Sequence, residues 1–191
     1  KGDNMTFLKK IRNKINRILA PLVFRLFRVK KIKNNKIVVM NYNGKGYGDN
    51  AKYIVNELLK TPEKYDIVYV TNDVRSLPEN IRSVSPKSLK WIYELSTAKI
   101  WINNTRFNLY VRKRKEQFYI QTWHSSLRLK KIEMDAVDKL GKYYKRMMKF
   151  DSKNINLMIV GSEFSFNTYR NAFLYNGNIE RIGTPRCDLF F

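Results

Sequence analysis

Residues 36–50, KIVVMNY followed by NGKGYG and DN, decide how this chain is read. The first seven form an apolar, β-rich run without polar alternation, the pattern of a strand buried on both faces. A glycine loop follows, Asn43-Gly44-Lys45-Gly46-Tyr47-Gly48, and Asp49 or Asn50 is a good N-cap for a helix over 51–60. Strand, glycine loop and helix start form a geometry in which backbone amides meet phosphate. The spacing, however, is neither the dinucleotide fingerprint nor a Walker loop ending in Lys-Ser/Thr. A loop that needs positive φ at a sheet edge explains these glycines equally well.

Working outward, the same grammar repeats. Residues 65–71 (YDIVYVT), 98–103 (AKIWIN), 118–122 (FYIQT), 156–161 (NLMIVG) and 179–182 (IERI) read as further strands, with a shorter element over 78–85. Between them lie helical patterns: one opened by Pro86 and Ser88 and running to about 97, one over 135–150 weakened by Gly141, and one over 164–174 with Ser162 as its N-cap. Strands alternating with helices predict an α/β fold, a Rossmann-like and mostly parallel sheet with helices on both faces, over residues 35–191. Residues 1–34 form a separate unit, a basic amphipathic helical segment. Phe7, Leu8, Ile11, Ile15, Ile18, Leu19, Leu22, Val23, Leu26 and Phe27 recur at helical spacing, and Pro21 is expected to kink or divide the helix. Its one-signed polar face suits an anionic lipid surface; packing on the domain or on a neighbour is the alternative.

Composition sets outer bounds. The 191 residues carry 38 Lys and Arg against 16 Asp and Glu, a formal charge of +22, which implies an anionic partner. With 43% hydrophobic residues the chain is no disordered basic tail. The single cysteine, Cys187, excludes an intrachain disulfide and a Cys-based zinc site. No apolar run approaches the roughly 20 residues of a membrane span. The abrupt end at Phe190-Phe191 reads as a chain cut from something longer.

The chemistry-bearing stretch is residues 118–135, FYIQTWHSSLRLKKIEMD, which holds the only histidine, His124. A strand ends there in a proton acceptor, then come small residues (Ser125, Ser126) and cations (Arg128, Lys130, Lys131) where an anion can sit. A surface histidine beside an aromatic anchor is the alternative. Arg106 follows the 98–103 strand at the sheet edge where ligands bind in open α/β folds, and can hold a phosphate. The cationic run 112–115 reads as a solvated face. No metal-ligand cluster is visible, so no protein-held metal and no cofactor is expected.

The segment Trp123-His124-Ser125-Ser126-Leu127-Arg128-Leu129-Lys130 resembles the Trp-His-Gly-x-x-x-Leu-Lys signature of the CDP-glycerol glycerophosphotransferase family. Further matches run in order: Asn43-Gly44-Lys45 with Asp49, Asn50 and Lys52; Trp101 to Arg106; and Asp151-Ser152-Lys153, Gly161 to Phe164, Tyr169 to Phe173 and Gly183-Thr184-Pro185-Arg186 with Asp188. The resemblance implies the N-terminal, acceptor-side half of a GT-B enzyme, with the donor-binding domain absent from this chain. It implies a transferase of cell-wall or capsule teichoic-acid synthesis that moves glycerol phosphate or ribitol phosphate from a CDP-linked donor to a polyol hydroxyl and releases CMP.

Within that resemblance His124 takes the role of general base, and Lys130, Lys131, Ser125, Arg106, Asn50 and Arg186 that of substrate-binding residues. The partners implied are the CDP-polyol donor, a polyol-phosphate or lipid-linked acceptor and an anionic membrane surface at the cytoplasmic face, with the protein peripheral to it. Ser125 departs from the family's usual glycine, which bears on substrate identity. Two other readings stand beside this one. One is a non-catalytic membrane-docking scaffold. The other is a basic nucleic-acid-binding domain, disfavoured because no such motif appears and the cations are spread along the chain.

Overall fold

The computed structural model describes residues 18–125 and 130–190. Seven strands form one parallel sheet: β1 (Lys33–Met40), β2 (Asp66–Val70), β3 (Arg82–Val84), β4 (Ala98–Asn103), β5 (Phe118–Gln121), β6 (Leu157–Ile159) and β7 (Asn178–Glu180). Their order is β3-β2-β1-β4-β5-β6-β7, with every neighbouring pair parallel. Helices α1 (18–27), α2 (Asp49–Leu58), α3 (Leu89–Thr97), α4 (Lys142–Asn154) and α5 (Glu163–Ala172) accompany the strands. The expected Rossmann-like architecture is therefore observed. The strand order reverses direction at β1 and β4, so their carboxyl ends part and leave a crevice.

The absence of alternation in the strands has its cause in two cores. Val38 and Met40 of β1, Val68 and Val70 of β2 and Trp101 of β4 enter one cluster, with Phe24, Trp91, Leu95, Tyr169 and Phe173. Ile37, Val39, Ile67, Tyr69 and Ile102 face the other way, against Ala51 and Val55 of α2. Successive residues thus point into opposite apolar layers, and a polar residue at either parity would be desolvated. Lys36 is an exception, and it is paired. At 1% exposure its Nζ sits 2.7 Å from Glu94 Oε2, itself 3% exposed, and donates to Thr97 Oγ1 at 2.8 Å. Arg82 completes the set, bonding Glu94 at 3.0 Å and Asp66 at 2.6 Å.

Local expectations fail where long-range contacts decide. The helix expected over 135–150 divides at Gly141: a 3-10 segment occupies Glu133–Lys139 and α4 begins at Lys142. Neither Asp49 nor Asn50 caps α2; the N-cap is Gly48 and Asp49 is the first residue of the helix, while Ser88 and Ser162 cap α3 and α5 as expected. Helix α1 continues through Pro21 to residue 27, and the part of the basic segment before residue 18 lies outside the described residues. Its inner face packs on α3, with Phe24 against Trp91 at 6.3 Å and Phe27 against Tyr93 at 5.4 Å. Its outer face remains apolar and exposed, from Ile18 and Leu22 to Leu26 at 69% and, in the turn beyond the helix, Val29 at 83%.

Arg106 requires a correction. It was expected at the sheet edge holding a phosphate, but its side chain is 3% exposed and is shared by two carboxylates, Glu133 at 3.2 Å and Asp151 at 3.2 Å. It also bonds Ser152 Oγ at 2.9 Å and stacks 4.3 Å from the Phe173 ring. The guanidinium is a structural rivet joining the end of β4 to the 3-10 segment and α4, with four of its five donors committed. Burial pushes Asp151 up to about 6, with Arg106 pulling against it.

A carboxyl raised above its unfolded value takes up a proton on folding, so its contribution to stability grows as pH falls through the folded value. Replacing Arg106 by Met removes the opposing cation and strands two buried carboxylates. The expected cost is about 3–5 kcal/mol at pH 7.5. The deficit relative to wild type should shrink at pH 5.5, because the stranded Asp151 then protonates. Urea denaturation of both proteins at the two pH values checks this; a pH-independent deficit would show that packing, not charge, is what Arg106 supplies.

Candidate active site

His124 lies just past the carboxyl end of β5, at the crevice side of the sheet. The chain is turned there by Trp123, whose φ is +51°. A left-handed conformation is costly for so bulky a residue and is sustained here by its neighbours. The Trp123 amide donates to Gln121 Oε1 at 3.0 Å, its carbonyl accepts from Asn50 Nδ2 at 3.0 Å, and its ring meets Phe173 edge-on at 4.7 Å. The imidazole then stacks 4.2 Å from the Trp123 ring and 5.3 Å from Tyr42.

The histidine's tautomer follows from one contact. Its Nδ1 lies 2.9 Å from the backbone oxygen of Asn104, and a carbonyl only accepts. Nδ1 therefore carries the proton in the neutral ring, and Nε2 holds the lone pair. The half-buried ring is thus arranged to accept a proton at Nε2. Asn104 itself is fully buried and tied on every side. Its Nδ2 donates to Asn41 Oδ1 at 2.7 Å and to Asp49 Oδ2 at 3.0 Å, and its Oδ1 accepts from the Tyr42 amide at 2.8 Å.

A second brace comes from the far end of the chain. Arg186, in the 3-10 segment Pro185–Phe190, donates through Nη1 to Asp49 Oδ1 at 2.9 Å and to the His124 carbonyl at 3.0 Å. Burial opposes its charge, and the Asp49 carboxylate more than offsets this. The same burial, with Asp49 close by, pushes the Tyr42 hydroxyl upward. Tyr169 of α5 donates its hydroxyl to the Ser125 carbonyl, fixing the chain where it leaves His124.

The structure thus brings together His124, Ser125, Arg186 and Asn50 of the expected set. Asn50 is only 2% exposed and is used to hold the Trp123 carbonyl and the Arg186 amide, the latter at 3.2 Å, so it shapes the site from behind and does not face a substrate. Arg106 is withdrawn into the core as described. Lys130 and Lys131 are exposed beyond residues 126–129, a part of the expected motif that lies outside the described residues. The glycine loop does not offer its first amides to an anion: those of Gly44 and Lys45 both bond the Asn41 carbonyl, at 2.8 and 3.1 Å. Gly44 serves a close approach, for at φ +92° a Cβ would meet Pro86 Cγ at 2.8 Å. Sequence reasoning missed Asn41, Tyr42 and the role of Asn104. The available signal was position, since each stands immediately after a strand at the carboxyl edge. Among the described residues no three His, Cys, Asp or Glu side chains gather as a metal site.

The chain is similar to several known proteins along most of its length. A teichoic acid poly(glycerol phosphate) polymerase from Bacillus subtilis is 27% identical over 188 residues, covering 95% of this chain and 25% of that protein. A teichoic acid glycerol-phosphate transferase from Staphylococcus aureus is 28% identical over 93% of this chain and 48% of that protein. A teichoic acid poly(ribitol-phosphate) polymerase from Bacillus spizizenii is 27% identical over 93% of this chain. Among solved structures, the wall teichoic acid polymerase TagF, in a histidine-to-asparagine variant soaked with CDPG, superposes with a TM-score of 0.79 at 27% identity over 96% of this chain and 48% of that one. The chain therefore spans half or less of the length of these relatives. Residues 22–191, nearly the whole chain, match one family model, and the chain belongs to the CDP-glycerol:poly(glycerophosphate) glycerophosphotransferase family.

Proposed function

We propose that this chain is the acceptor-side, N-terminal Rossmann-like domain of a GT-B transferase that moves a polyol phosphate, glycerol phosphate or ribitol phosphate, from a CDP-linked donor to a polyol hydroxyl. The observation that carries this reading is the Nδ1 contact of His124 with the Asn104 carbonyl, which leaves a basic Nε2 at the crevice of a family member. A polyol hydroxyl is a poor nucleophile, and an imidazole within reach removes its proton as the new O–P bond forms. The bond from that phosphorus to the bridging oxygen of the diphosphate breaks, and CMP departs with the electron pair. Negative charge on the transferred phosphoryl oxygens calls for cations. Arg186 stands beside His124 and Lys130 and Lys131 lie beyond it; these are assigned the binding role, with the Ser125 hydroxyl as a further donor. The donor is held mainly by a second domain outside this chain.

The acceptor in this reading is a polyol-phosphate chain or its lipid-linked primer, and the protein works at the cytoplasmic face of the membrane. The support is α1: an exposed apolar row of Ile18, Leu22, Leu26 and Val29 set among Arg25, Arg28, Lys30 and Lys31. No described helix is long and apolar enough to cross a membrane, so contact is peripheral in this reading.

In the whole protein that carries this chain, His124→Ala is expected to lower the rate of CMP release from CDP-glycerol or CDP-ribitol about 10²–10⁴-fold, with an unchanged circular dichroism spectrum. Near-normal turnover would remove His124 from catalysis and favour the scaffold reading. For the membrane, a Leu26→Ser/Val29→Ser variant should float less on anionic liposomes than wild type while retaining its thermal midpoint. Equal flotation would place membrane contact elsewhere in the protein.

A further inference from the structure

A second cationic site lies away from the His124 crevice. Pro21, Leu22, Arg25 and Arg28 of α1 and the turn after it, together with Arg112 from the β4–β5 connection, line a cleft of about 270 Å³. Its position follows from two backbone contacts. Arg28 reaches the Lys113 carbonyl at 3.5 Å and Arg114 reaches the Lys30 carbonyl at 2.8 Å, so the segment leading into β1 is stitched to the segment leading into β5. In a parallel sheet that is the amino-terminal side, opposite the edge that carries His124.

Three guanidiniums share this cleft, with no carboxylate among the described residues that line it. Among the described residues no ion pair joins Arg25, Arg28 or Arg112 to a carboxylate, whereas Arg114 next along the chain has Glu116 at 3.9 Å. Arg112 is held in place over the Phe150 ring at 4.8 Å, and burial together with the Arg28 guanidinium pushes its ionisation downward. Arg112 is half-buried in the cleft and the exposed Arg28 lies near enough to oppose its charge, an arrangement that an anion between them relieves. Guanidinium forks match the geometry of phosphate oxygens, and converging forks favour a tetrahedral polyanion over chloride. The wall formed by Pro21 and Leu22 is apolar and leads onto the exposed row of α1, so there is room for an organic substituent on one side of the anion.

We propose that Arg25, Arg28 and Arg112 form a binding site for a phosphate ester, separate from the crevice at His124. The inference does not depend on the transferase reading, because it concerns a different edge of the sheet and a readout other than turnover.

The test follows the thermal midpoint of the protein in inorganic phosphate and in sodium chloride at matched ionic strength, which separates specific binding from general screening of a basic surface. R28Q/R112Q is compared with K142Q/K149Q, which loses the same charge from exposed positions of α4. The phosphate-specific rise should be intact in K142Q/K149Q, diminished in R28Q/R112Q and partly kept in R28K/R112K, which retains charge without the fork. The Arg-to-Lys variant also guards against a Gln variant that folds poorly. A phosphate-specific rise in R28Q/R112Q equal to that of K142Q/K149Q overturns the proposal, as does its absence from wild type. Flotation on vesicles of phosphatidylcholine with phosphatidylglycerol then identifies the source of the ester. A selective loss in R28Q/R112Q points to a lipid headgroup; flotation equal to the control points to a soluble phosphate ester.

Discussion

Everything at the carboxyl edge of the sheet is referred to one buried residue, Asn104. Its main-chain oxygen sets the His124 tautomer, and its side-chain amide bonds the loop after β1 and the start of α2. Three segments far apart in sequence thus meet on three polar atoms of one residue, through four contacts. An apolar side chain there would leave the Asn41 and Asp49 oxygens and the Tyr42 amide without it, at about 1–3 kcal/mol for each buried group left unsatisfied. A shorter polar side chain could not span the same gap. The constraint is geometric as much as energetic: the imidazole can be no better placed than the carbonyl it leans on.

That rigidity has a use, because the surrounding backbone is strained. Tyr42, Asn43, Asp49 and Trp123 all have positive φ, between 41° and 58°, and none is glycine. Such residues cost roughly 1–3 kcal/mol each and persist only where their surroundings over-determine them. Asn tolerates the conformation best; Trp and Tyr do so poorly. The braces are the ones that define the site: Asn50 on the Trp123 carbonyl, Asn104 on the Tyr42 amide, and Arg186 between Asp49 and the His124 carbonyl. Strain and network are therefore one device. The left-handed turn at Trp123 aims His124 into the crevice, and the network keeps that turn from relaxing.

The parts legible in the sequence were those decided locally. The strand at 98–103 is legible because AKIWIN centres on Ile100-Trp101-Ile102, an unbroken apolar run that feeds both cores. Ser88 and Ser162 were legible as caps because a cap needs only its own hydroxyl and an amide three residues on. Arg106 was misread for the complementary reason. Its partners Glu133 and Asp151 are 27 and 45 residues away, and nothing in the local sequence says that they converge on it. Asn50 was placed facing a substrate when it faces the Trp123 carbonyl, 73 residues distant. Polar residues at the ends of parallel strands look alike from the sequence; whether one meets ligand or backbone is settled by which loops the sheet brings beside it.

The distribution of acids explains why a chain of +22 can still have discrete sites. Glu94, Glu133 and Asp151 are buried against Lys36, Arg82 and Arg106, and Asp49 is held by Arg186. Four of the 16 acids are thus committed to holding strands and helices in register, and the rest are outnumbered by the Lys and Arg, 38 in all. Against that background a cation is not distinguished by its charge. It is distinguished by how far water has been removed from it and by what holds its geometry. Arg186 passes that test through Asp49 and the His124 carbonyl, and Arg112 passes it through its burial and the Phe150 ring. The exposed Lys130 and Lys131 do not, which places their contribution in the reach of two long, hydrated side chains and not in a preformed cradle.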